Sequence, residues 1–118
     1  MSLTAYSAVW LNIGGRESFQ EGESRTRVDA YEAVFAALAH PARRRILMTV
    51  HFEGGAMTAG EIAAVFAHAW QTTTRHLQVL ETAGLLTHER RGRTRIYRIE
   101  RKRLELVRDW LAWFSREP

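Results

Sequence analysis

Cysteine is absent from the 118 residues, which excludes disulfides, thiolate metal sites, thiol redox switches and cysteine nucleophiles. Only two prolines and eight glycines interrupt the chain, leaving room for long helices. No apolar run approaches the ~20 residues needed to span a bilayer, so no membrane partner is expected. Met1-Ser2-Leu3-Thr4 lacks the basic stretch and apolar core of a secretory signal, and the expected location is cytoplasmic. No Gly-rich phosphate loop, His-rich metal motif or nucleophile elbow occurs. Glu105 and Asp109, an i, i+4 pair beside Arg108, read as solvated surface, and no enzyme is expected.

The composition is 46% apolar and 25% charged, as for one globular domain. The formal charge of +4 is unevenly placed. Leu85 to Arg103 holds Arg90, Arg91, Arg93, Arg95, Arg98, Arg101, Lys102 and Arg103 against Glu89 and Glu100. That segment nets +6, so the remaining residues together carry −2. One basic patch on an otherwise slightly acidic domain points to a polyanionic partner.

Residues 1–27 show no sustained period and read as a partly flexible N-terminal arm, with the domain occupying 28–116. From Val28 a helical period sets in: Val28, Tyr31, Val34, Phe35 and Leu38 share a face. His40-Pro41 stops this helix, and Pro41 suits the first turn of a second one reaching about Phe52, with Ile46, Leu47 and Val50 inward. Glu53-Gly54-Gly55 ends it. Thr58 and Glu61 form a capping box for a short third helix carrying Ile62, Val65 and Phe66. A fourth helix spans about Trp70 to Ala83 and closes at Gly84. Leu85–Arg91 and Arg93–Glu100 flank Gly92 as a two-stranded hairpin with Arg90-Arg91-Gly92-Arg93 at its tip. The last helix covers about Arg101 to Ser115.

At 100° per residue, Trp70, Thr73, Leu77 and Leu80 of the fourth helix face the core. Gln71, Arg75, Gln78 and Thr82 line the opposite side, flanked by Thr72, Thr74 and Val79. Amides, hydroxyls and a guanidinium can read base edges, and a face without carboxylates does not repel phosphates. A capped short helix, a polar helix and a cationic hairpin in succession form the layout of a winged helix-turn-helix, mainly α with a β-hairpin and about five helices. The fourth helix would enter the major groove of double-stranded DNA, with the hairpin arginines on phosphates or in the adjacent minor groove.

Val34 to Tyr97 resembles the ArsR-type (arsenical-repressor-like) winged-helix regulators. Ala37-Leu-Ala-His-Pro-Ala-Arg-Arg-Arg-Ile-Leu47 is similar to that family's entry into its second helix. Trp70-Gln-Thr-Thr-Thr-Arg-His-Leu-Gln-Val-Leu-Glu-Thr-Ala-Gly-Leu-Leu86 resembles its recognition helix and following strand, and Arg90-Arg-Gly-Arg-Thr-Arg-Ile-Tyr97 its wing. The resemblance implies a transcription regulator, usually a repressor. It assigns Thr72, Thr74 and Arg75 to groove contacts and Gln71 by a weaker match, since the family often has Pro there. His76 matches a common His but falls on the inner flank of the helix. Gln78, Arg90, Arg91, Arg93 and Arg95 complete the expected DNA surface.

The family's metal-sensing patterns, a Cys pair or Asp/His pairs on the last helix, are missing, so no metal and no cofactor is expected. An inducer could be an organic ligand, a partner protein or nothing. On the last helix Leu104, Leu106, Val107, Trp110, Leu111, Trp113 and Phe114 cover about half the circumference, more than the ~100° stripe one core requires. A homodimer through the first and last helices is expected, using Val28, Tyr31, Leu106, Trp110, Trp113 and Phe114. Coverage by Trp10 and Leu11 of the arm is the alternative. A winged-helix protein-interaction module is the competing function. It would expose apolar anchors on the fourth helix, where only Val79 qualifies.

Overall fold

The computed structural model describes residues 21–67 and 69–117. The chain runs α1 (Glu21–Leu38), α2 (Pro41–Phe52), β1 (Ala56–Thr58), α3 (Ala59–Val65), α4 (Trp70–Thr82), β2 (Leu86–Arg91), β3 (Thr94–Ile99) and α5 (Arg101–Ala112), closed by a 3-10 turn, Trp113–Ser115. The five helices fall where the sequence places them, except that α1 begins at Glu21, seven residues ahead of Val28. Apolar periodicity marks only the packed part of a helix, so a polar extension leaves no pattern to read. Residues 1–20, with Trp10 and Leu11, lie outside the described residues.

The corner between α1 and α2 is built from side chains of His40-Pro41-Ala42-Arg43-Arg44. His40 Nδ1 accepts from the backbone N–H of Ala42 at 3.1 Å, and Pro41 occupies the first helical turn, where a missing N–H has no consequence. Arg43 donates through Nε to Ala37 O at 2.7 Å and through Nη2 to Ala36 O at 3.1 Å. Arg44 Nη1 donates to Leu38 O at 2.7 Å. These cations satisfy orphan carbonyls at the negative end of α1. Arg45 instead places its guanidinium over the ring of Phe66, 5.5 Å from the centroid.

The capping box is present: Thr58 Oγ1 accepts from Glu61 N–H at 3.1 Å, and Glu61 Oε1 accepts from Thr58 N–H at 3.0 Å. Those bonds hold the Glu61 carboxyl below the usual carboxylate range. Only α3's core side is enclosed, by Ile62 and the following Phe66; Val65 stands exposed. Helix α4 ends in a Schellman turn, with Gly84 N–H on Glu81 O at 2.9 Å and Leu85 N–H on Leu80 O at 2.9 Å. Gly84 has φ +79, a conformation that a side chain disfavours.

The expected two-stranded hairpin belongs to a three-stranded antiparallel sheet of order β1-β3-β2. Strand β1 pairs Met57 with Tyr97, and β2 pairs His88 with Tyr97 from the other side. Three residues between a Gly pair and a helix cap are too few for alternation to register, so β1 leaves no sequence signal. Val34, Ile46, Val50, Ile62, Leu80 and Tyr97 are among the side chains closed inside the resulting core.

Candidate nucleic-acid interface

Helix α4 turns Thr73, His76, Leu77 and Leu80 into the core. His76 packs its ring against His40, centroids 4.6 Å apart, in the inner position its place on the helix suggests. Gln71, Thr72, Arg75, Gln78 and Thr82 are exposed, and Thr74 is half-buried. Trp70 departs from the expected inward arc, being 54% exposed. It stands in the first turn of α4, where its side opens onto a cleft toward the wing instead of closed packing. A helical wheel carries direction but not depth, which is why the periodicity misplaces it.

The hairpin turns at Gly92-Arg93, between the paired Arg91 and Thr94, one residue later than the sequence suggests. Gly92 has φ +61 and Arg93 keeps a negative φ, as a two-residue turn with glycine first requires. Strand alternation then sorts the arginines. Arg90 lies directly opposite Arg95 on the face that carries Tyr97. Arg91 and Arg98 lie on the other face with Glu89, whose Oε1 accepts from Arg98 Nη2 at 3.0 Å and stands 3.3 Å from Arg91 Nη2. Arg98's hydrogen bond, then the charge of Arg91, holds the Glu89 carboxyl below its usual range. Among the described residues no carboxylate pairs with Arg90, Arg93 or Arg95. Like charges facing one another across a strand pair are unfavourable in the free protein.

A cleft of about 460 Å³ separates the wing from the start of α3 and α4. It brings Thr74 and Trp70 together with Arg90, Arg93 and Arg95. Arg75 and Gln78 fall on the other side of α4, along a shallow groove of about 330 Å³ against Ala33 and Ala36 of α1. Gln71 and Thr72 are exposed in the first turn, on neither lining. Arg91 is the one expected wing contact that the strand pairing turns away from the cleft.

Helices α1 and α5 pack together, with Val28, Phe35, Leu106, Trp110 and Trp113 gathered around Tyr31. Tyr31 is fully enclosed by its own chain, so its expected contact with a partner is corrected: it supports that surface from beneath. Burial, with the nearby Asp109 charge second, pushes its hydroxyl from 10.0 up to about 12. Trp110 sits edge-on to Phe35 at 5.0 Å and to Phe114 at 4.9 Å. No residue of α5 is fully buried, while Phe114 is 73% and Leu111 54% exposed.

Among the described residues there is no group of three or more His, Asp or Glu able to hold a metal, and no helix long and apolar enough to cross a membrane. The family model of a helix-turn-helix domain matches residues 38–89. The chain is 33% identical over 81 residues to the transcriptional repressor SdpR of Bacillus subtilis (strain 168), covering 69% of this chain and 88% of that protein. It superposes on the crystal structure of an ArsR family transcriptional regulator with TM-score 0.67 and 32% identity, over 75% of this chain and 95% of the other. A homodimeric winged helix-turn-helix DNA-binding domain from Mycobacterium bovis gives TM-score 0.63 and 25% identity, over 84% and 89%.

Proposed function

The chain belongs to the ArsR family of winged helix-turn-helix transcription regulators, and from that premise we propose that it is a repressor reading a palindromic operator as a homodimer. Helix α4 enters the major groove through Gln71, Thr72, Thr74, Arg75 and Gln78. Arg90, Arg93 and Arg95 hold phosphates or the adjacent minor groove, and Arg91 adds to the field from the outer face. The observation that carries this reading is the wing itself: Arg90 and Arg95 oppose each other across a cleft from Thr74, and no carboxylate among the described residues pairs with either. Such a charge arrangement is unfavourable until an anion enters it. The family is one of regulators, not enzymes.

Dimerisation rests on the apolar side chains of α5 and of the 3-10 turn after it, Trp110 on the helix with Trp113 and the exposed Phe114 on the turn, and Leu106 and Val28 at the α1 seam. The homodimeric Mycobacterium bovis domain has the same fold. A two-fold dimer sets two recognition helices ~34–36 Å apart, one turn of B-DNA. Selection of bound duplexes from a random pool by the full chain tests this. The expected product is a symmetric pair of half-sites, and Arg75→Ala should relax one base pair in each by about 1–3 kcal/mol. Enrichment of no sequence, or of a single asymmetric site, would refute it.

A further inference from the structure

A second cavity, of about 410 Å³, opens away from the wing cleft between α2, the end of β3 and the first turn of α5. Its size lies within the ~300–1,000 Å³ typical of small-molecule sites. Leu47, Ile99 and Leu104 give it an apolar lining, and the exposed Arg44, His51 and Arg101 stand at its mouth. No acid lines it. Arg101 Nη1 donates toward His51 Nδ1 at 3.3 Å, and Arg44 uses Nη1 on Leu38 O. Neither guanidinium pairs with a carboxylate among the described residues.

Helix α5 sharpens the imbalance. Its first turn reads Arg101-Lys102-Arg103, contains no acid, and its cap residue Glu100 makes no side-chain cap bond. Cations at the positive end of a helix are misplaced with respect to its dipole, which favours an anion there. An inorganic anion would satisfy the charges but would leave the apolar lining unused.

We propose that this cavity binds an organic anion, a carboxylate carried on an apolar body of medium length. The body occupies the lining around Leu47, Ile99 and Leu104, and the carboxylate meets Arg101 and Arg44 at the mouth. On α5 the site uses only the first turn, the opposite end from Trp110 and Phe114. It stands apart from the DNA reading and is measurable without DNA.

Calorimetric titration of the full chain with octanoate tests the assignment, beside octanamide, acetate and inorganic phosphate. Saturable binding of one octanoate per chain is expected, at least tenfold tighter than octanamide, with no saturable binding of acetate or phosphate over the same range. Arg101→Gln, and separately Met48→Glu, which places a carboxylate on an exposed residue of the lining, should each weaken octanoate at least tenfold without changing the thermal unfolding of the free protein. Octanamide binding as tightly as octanoate, phosphate or acetate competing equally, both variants retaining full affinity, or no binding of octanoate at millimolar concentration would each overturn it.

Discussion

Replacing Arg90, Arg93 and Arg95 together by Gln removes wing charges that no carboxylate among the described residues shares, while keeping side chains able to hydrogen bond. If each guanidinium neutralises one phosphate, each contributes about 0.9 to the slope of log K against log salt on B-DNA. The triple variant should therefore lose about 2.7 units of slope per protomer, and about 5.4 per dimer. Fluorescence anisotropy on one labelled duplex over a potassium chloride series reads this directly. Arg91→Gln should lose less than any one of the three, because Glu89 already shares that charge at 3.3 Å. Glu89→Gln should strengthen binding by releasing Arg91 and Arg98.

The same variant makes an independent claim about the free protein. Arg90 and Arg95 repel across the strand pair, so their removal should leave thermal stability unchanged or raise it by about 0.2–1 kcal/mol. A folded triple variant with the wild-type salt slope would refute the assignment of the wing to phosphates. A marked loss of stability would show that the facing arginines are not the unfavourable pair described.

Phe114→Asp and Trp110→Asp should each convert a dimer of about twice 13.6 kDa into monomers in sedimentation at micromolar concentration. A wild-type chain that sediments as a monomer would sink the dimer reading. Gly84→Ala places a side chain at φ +79, where an L-residue costs roughly 1–2 kcal/mol. Its Cβ would also lie 2.7 Å from Arg103 Nε. Thermal unfolding should show the loss, and adding Arg103→Ala should not restore it; an unchanged midpoint would contradict the backbone argument. The Tyr31 hydroxyl, raised from 10.0 to about 12, contributes stability that is complete below pH 10 and is lost as pH rises toward 12. Tyr31→Phe should flatten that alkaline decline and remove the late step from the phenolate absorbance titration; an unchanged titration would argue against burial of the ring.

The helices were legible because their apolar residues recur at helical spacing and their ends carry chemistry that acts locally, as in His40-Pro41, the Thr58–Glu61 box and Gly84. Helix α4 and the wing followed from the same local signals and from the family resemblance. Besides the polar start of α1 and the exact turn of the hairpin, three features that shape the site were not legible. Strand β1 is held by pairing with β3, some forty residues away in sequence, and has no pattern of its own. The exposure of Trp70 depends on where the core ends. The division of the wing arginines into a shared and an unshared set depends on strand register, since Glu89 reaches Arg98 only when β2 and β3 are paired as they are.

That register also restricts how the wing can change length. Arg95, Tyr97 and Ile99 share one face of β3, and Arg90 shares it from β2. Inserting one residue into each strand between the core and the tip would keep the hairpin closed but rotate Arg90 and Arg95 to the outer face. Inserting two into each would restore their direction and carry them outward by ~6.6 Å. A functional wing can therefore lengthen only in even steps per strand, each moving its cations roughly two phosphates further along one DNA strand, if they track it at 3.4 Å per charge. Wing length in such a chain is a quantised variable, set by the pleat and not by the flexibility of the loop.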